Sequence, residues 1–119
     1  MAAPNIVNVT SIYGKTAVQS VPATVTTIVE NTAASGKVLK INSLNIANID
    51  GLAVADITVD LFRSSTSYKL ASTVTVPADS TLVVISKDNT IYLEEGDALR
   101  CLASAAGDLQ AVCSYEEIS

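Results

Sequence analysis

The chain has 119 residues and a mass of 12.3 kDa; 49% of it is hydrophobic and only 16% charged, with a mean hydropathy of +0.40 and a net charge of −5. That length fits one domain. The absence of His removes a histidine general base, a Ser-His-Asp triad and His metal ligands, two Cys cannot complete a zinc site, and the acidic balance opposes nucleic-acid binding.

The apolar surplus reads as core and not as membrane. No window approaches the roughly 18 to 20 apolar residues of a spanning helix, and the densest run, Leu82 to Ile85, is cut by Ser86 and Lys87. The N-terminal residues Met1 to Asn5 lack the basic and apolar stretches of a signal peptide. The chain is therefore expected to be made and used without secretion, with Cys101 and Cys113 as free thiols.

Val, Ile and Thr make up 36 of the 119 residues. Branching at Cβ stiffens χ1 and suits a pleated sheet better than a helix, so the expected fold class is all-β. In chain order, residues 1–22 form an N-terminal arm or a first strand, with residues 4–13 as its candidate strand, and residues 23–119 form the β-sandwich domain. Ile6, Val7, Val9, Ile12 and Val18 are apolar there, interrupted by Pro4, Gly14 and Pro22. Strands follow near 24–29, 37–48, 53–62, 68–76, 81–86, 90–93, 97–105 and 109–117, with no helix longer than a turn. Alternation is clearest where Ala55, Ile57, Val59 and Leu61 oppose Val54, Asp56, Thr58, Asp60 and Phe62. In the second strand Leu39 and Ile41 share one parity and Leu44 and Ile46 the other, so a β-bulge is predicted near Asn42-Ser43; burial on both faces is the rival explanation.

Polar turns separate these runs. They include Ala34-Ser35-Gly36, Asp50-Gly51, the connection Arg63 to Ser67, Val76-Pro77-Ala78-Asp79 with Pro at the second position, and Glu94-Glu95-Gly96-Asp97. In the last, Gly96 is expected to take a positive φ and Asp97 to cap the amides that follow. About eight short strands with regular turns suggest a two-layer antiparallel sandwich, a jelly roll first and an immunoglobulin-like sandwich as the alternative.

Candidate chemistry is thin. Asp56 and Asp60 lie on one strand face, and Glu94, Glu95 and Asp97 share a turn. An acid–base pair or a cation site is conceivable from such clusters, but no ligand spacing supports one, and solvated turn and edge residues are the better reading. Nucleophile elbows, phosphate loops and dinucleotide fingerprints are missing from the sequence, so neither an enzyme nor a cofactor is expected. Gly107 lies midway between Cys101 and Cys113, so a hairpin centred there would set the two Cys opposite each other, as buried free thiols or, were their Cβ atoms within about 3.5 to 4.5 Å, as a cross-strand disulfide; free thiols are the expectation. Tyr68, beside the polar 63–67 connection, is the best candidate for stacking on a sugar.

The segments Lys40 to Leu44, Ala47 to Gly51, Val74 to Ala78, Ile91 to Leu99 and the ending Ser114-Tyr115-Glu116-Glu117-Ile118 resemble small virion structural proteins of tailed bacteriophages, especially phages of marine cyanobacteria. The resemblance covers roughly residues 36–118. It implies a jelly-roll module that decorates or cements a capsid, or else sits at the neck or tail, with no catalytic motif to carry over. The implied place is the virion, assembled in the host cytoplasm. The implied partners are the major capsid protein or other virion proteins and further copies of the chain, a trimer by analogy of fold, with no nucleic acid and no membrane. A carbohydrate- or receptor-binding module of the virion is the alternative. Candidate interface residues are Pro4, Ile6, Val7, Val9 and Ile12 of the N-terminal segment, together with Val54, Phe62, Tyr68, Leu102 and Val112 on outward strand positions.

Overall fold

A computed structural model describes residues 4–119; the first three residues of the expected arm lie outside it. Nine strands are present among the described residues: β1 (Ile12–Ser20), β2 (Thr26–Glu30), β3 (Val38–Asn48), β4 (Ala55–Arg63), β5 (Thr66–Val76), β6 (Thr81–Ile85), β7 (Ile91–Leu93), β8 (Ala98–Ala103) and β9 (Leu109–Ile118). The only helical piece among them is a single 3-10 turn, Lys87–Asn89. The strands form two antiparallel sheets. One has the order β1-β9-β3-β6, with β7 also on β3; the other is β2-β8-β4-β5.

This order is that of a jelly roll, and it excludes the immunoglobulin-like alternative. The pairings β1 with β9, β2 with β8, β3 with β6 and β7, and β4 with β5 are those of one long antiparallel hairpin wound into two layers. β6 lies along Leu44–Ala47 and β7 along Leu39–Ile41, so they are one strand position broken by the 3-10 turn. Nine strands thus fill eight positions.

The predicted bulge is present. Ile41 pairs with Tyr115 and Ser43 with Ser114, which leaves Asn42 as the extra residue. The slip keeps Leu39, Ile41, Leu44 and Ile46 all buried, because shifting parity by one residue returns the aliphatic set to the inner face. The Asn42 amide donates to Glu116 at 2.9 Å. Across the interior these side chains meet Ile57, Val59, Leu99 and Cys101 from the other sheet.

The structure corrects three local expectations. The Ser80 amide donates to the Pro77 carbonyl at 3.2 Å, so Pro77 stands at the first and not the second position of its turn; Asp79 carries the left-handed conformation, with φ 58°. Cys101 and Cys113 do not face each other across a hairpin, because β8 and β9 belong to different sheets. Residues 104–108 cross between the layers, a path no local spacing reveals. Asp60, expected in solvent, is buried at 3% exposure, since cross-strand side chains close over it.

Residues 63–67 form a tighter turn than a polar connection would need. Arg63 pairs with Thr66, and both residues between them, Ser64 (φ 52°) and Ser65 (φ 60°), are left-handed. That geometry matches strand twist but penalises L-residues other than Gly and Asn. Replacing Ser64-Ser65 by Asn-Gly should stabilise the fold by about 1 kcal/mol and raise Tm by about 3–6 °C, read by thermal denaturation.

Candidate assembly surfaces

Residues 5–8, ahead of β1, are all exposed. Residues 5–8 hold only a local turn, with the Asn8 amide donating to the Asn5 carbonyl at 3.0 Å and the Val7 amide to Asn5 Oδ1 at 2.9 Å. Ile6 is 54% and Val7 90% exposed, while Pro4 and Val9 are half-buried. Anchoring begins at Thr10, whose amide donates to the Ser119 carbonyl at 2.7 Å, and continues at Ser11, which exchanges two backbone hydrogen bonds with Ser119. From there β1 runs in unbroken register along β9, from Ile12 opposite Ile118 to Ser20 opposite Gln110. Val21 then drops fully into the core.

The outer face of the β1-β9-β3-β6 sheet is divided by charge. At one end Lys40 lies opposite Glu116 on that face, while on the core-side face of the same end Glu117 accepts from Lys15 (3.2 Å) and Lys37 (3.1 Å), and Lys37 and Lys15 hold its carboxyl below the usual carboxylate range against the opposing effect of burial. At the other end Val18, Val112, Asn45 and Val83 align in one row across four strands. Thr16, Ser114, Ser20, Gln110 and Ala47 flank that row, and none of these side chains is charged. Val18 is 73% exposed and Val112 is also exposed.

The outer face of the other sheet is closed by ions. Arg100 donates to both Asp60 oxygens (3.0 and 2.8 Å) and lies 3.8 Å over the Phe62 ring. The Ser67 hydroxyl also donates to Asp60, and Lys69 Nζ stands 3.8 Å away. Burial alone would push the Asp60 carboxyl up; Arg100, Ser67 and Lys69 outweigh it and hold the carboxyl below its ordinary value. Phe62, under Arg100, is half-buried, as is Leu102, whereas Val54 and Tyr68 are exposed. Asp56 accepts from the Thr75 hydroxyl at 2.8 Å.

A second buried carboxylate, Asp97, secures the sandwich end. It accepts from Arg63 Nε and from the Glu94 amide, both at 2.8 Å, and Arg63 also reaches Glu94 at 2.9 Å. Its cap therefore falls on the preceding amide and not on those that follow. Gly96 does take the expected positive φ of 90°. An open recess of about 340 Å³ is lined by Arg63, Ser64, Glu94, Glu95, Gly96 and Asp97, and the Arg63 guanidinium in its wall is bound to Asp97 and Glu94.

Two further residues carry structural roles that local sequence patterns left unmarked. Asn31 donates to the carbonyls of Lys37 and Leu93, both at 2.9 Å. Asn48 donates to those of Ala53 (2.9 Å) and Val76 (3.0 Å). Each buried amide ties loops distant in sequence, so only the flanking turn dipeptides hinted at them.

No protein-family model matches the chain, and no curated protein matches it. Solved structures do. The chain is similar to a protein of the Bacillus endospore appendages, a family of disulfide-linked pili, at 14% identity and TM-score 0.50, over 92% of this chain and 87% of that one. It is similar to a protein of the acidic stable capsid of Helicobacter pylori bacteriophage KHP30 at 9% identity and TM-score 0.53, over 94% and 90%. A pentameric capsid protein from metagenomic phage sequences aligns at 21% identity and TM-score 0.43, over 87% and 60%. The relation is one of fold. These neighbours are named for a pilus or a capsid and not for a reaction.

Two outcomes follow from the buried groups. Asp60 and Asp97 have folded-state pKa values below their unfolded ones, so their stabilisation is complete above about pH 4 and is lost as pH falls through the lower, folded values. Denaturant melts should therefore show constant stability from neutrality to about pH 5 and a fall below about pH 4. Asp60→Asn should be less stable at pH 7 with a shallower acid slope. Burial pushes the Cys101 thiol up to about 11, with Asp60 adding to it, and the Cys113 thiol up to about 12. Both thiols are free and should resist iodoacetamide at pH 8 in the folded protein, yet alkylate fully in denaturant, as read by intact mass.

Proposed function

We propose that this chain is a virion structural protein of a tailed bacteriophage that binds the head shell as a decoration or cement protein. The observation that carries this reading is the N-terminal segment, whose exposed Ile6 and Val7 project from a finished jelly roll that does not use them. An apolar segment of this kind gains stability only by covering a partner. The sandwich itself supports the same reading. Its buried carboxylates are bound in ion pairs, and sparse charge with many small side chains lowers the rotamer entropy lost on assembly. A phage capsid protein among the structures of similar fold is consistent with a place in the virion. The narrower placement, among phages of marine cyanobacteria, rests on the motif resemblance over residues 36–118. The major capsid protein is the proposed partner.

A carbohydrate- or receptor-binding role is the second reading, favoured by Tyr68, which is 56% exposed at the β5 edge. Glycan-array binding that disappears with Tyr68→Ala would support it.

Purified particles should contain the chain, and cryo-EM should place its density on the head surface. Deleting residues 1–9 should abolish rebinding to stripped heads while leaving Tm within about 2 °C, because residues 5–8 hold only a local turn and are exposed. Absence of the protein from purified particles would overturn the assignment.

A further inference from the structure

We infer that the free edge of β1 is a homodimerisation edge, pairing antiparallel with β1 of a second copy across a two-fold axis. The inference is independent of the virion assignment, since it concerns the isolated chain.

β1 ends its sheet, and among the described residues no strand lies on its outer side. The register with β9 shows which backbone groups are free. Ser11 and Ser119 exchange both hydrogen bonds, and the Val21 amide donates to the Leu109 carbonyl at 2.9 Å. The register between these points has no slip. Hydrogen-bonded and non-hydrogen-bonded pairs alternate in an antiparallel ladder, so the odd-numbered residues of β1 bond to β9. The N–H and C=O groups of Ile12, Gly14, Thr16, Val18 and Ser20 point out of the sheet.

Natural proteins blunt such edges by shortness, bulges, proline or charge. The other three edges follow that rule. β2 has 5 residues with a register shift, β6 and β7 have 5 and 3, and β5 is interrupted twice, near Leu70 and at Thr73 (φ 50°). β1 alone offers 9 residues without a bulge or a proline, and its single charge, Lys15, is tied to Glu117.

A regular edge of this length needs an equally regular partner, and within this chain only another β1 provides one. Centred on Thr16, the pair sets Gly14 opposite Val18 of the second copy and Lys15 opposite Ala17, so no like charges meet. About ten ladder bonds would form. Near a two-fold axis each charge meets its own copy, so the uncharged face around Val18 and Val112 also suits two copies of a chain of net charge −5.

The test is the mass of the full chain by light scattering at tens of micromolar. Twice 12.3 kDa is expected; a monomer or a trimer overturns the inference. Val18→Pro removes an edge-facing donor without touching the β9 ladder and should weaken the dimer about tenfold or more, because each copy loses a bond. Val18→Ala keeps the donor and should stay dimeric. A Val18→Pro protein that is folded and still fully dimeric overturns the inference. If Val18→Pro does not fold, Thr16→Cys decides. Residue 16 faces itself at about 5.5 Å between Cα atoms, within disulfide reach. Mild oxidation should cross-link Thr16→Cys far faster than Ser20→Cys, whose own copy lies at the opposite end of the ladder; equal rates overturn the inference.

Discussion

The structure depends on the last strand. β9 lies between β1 and β3 and bonds to both along its length, so the larger sheet has no centre until the C-terminal residues arrive. Its inward Leu109, Ala111 and Cys113 are all but fully buried and complete the floor on which the opposite sheet rests. Ladders between residues about a hundred positions apart cost loop-closure entropy before they return any stability. This topology leaves β1 held on one side only.

Charge is distributed in keeping with that closure. Asp60 and Asp97 are buried and each takes two bonds from an arginine, which closes the outer face of one sheet and one end of the sandwich. Losing one partner of such a pair costs more than the pair itself contributes, because an ion is left unpaired in a poorly solvated place. Glu117 gathers two lysines at the start of β1. The far end of the outer β1-β9-β3-β6 face, around Val18 and Val112, carries no charge. A protein that functions through contact benefits from such a surface, since neutral small side chains are cheap to desolvate and lose little freedom.

The relation to pilus and capsid proteins is one of fold, and the same sandwich serves many purposes. What distinguishes this chain is the exposed apolar segment before Ser11 and the unprotected edge of β1, both at the start of the chain and both outside the core.

Period-two alternation and turn chemistry determined the all-β class, most strand positions, the bulge at Asn42 and the positive φ of Gly96, because each depends on neighbours within a few residues. Free thiols were also the expectation from the sequence, and both are free. Only the tertiary structure decided that β8 and β9 part into different sheets, that Asp60 is closed over by Arg100 and Phe62, and that Asn31 and Asn48 tie distant loops. It alone separated the segment before Ser11 from the β1 that follows, and it alone showed which edges are blunted. The physical reason is common to all of these: a strand's parity is local, whereas its partner is chosen by contacts between residues far apart, which no short stretch of sequence encodes.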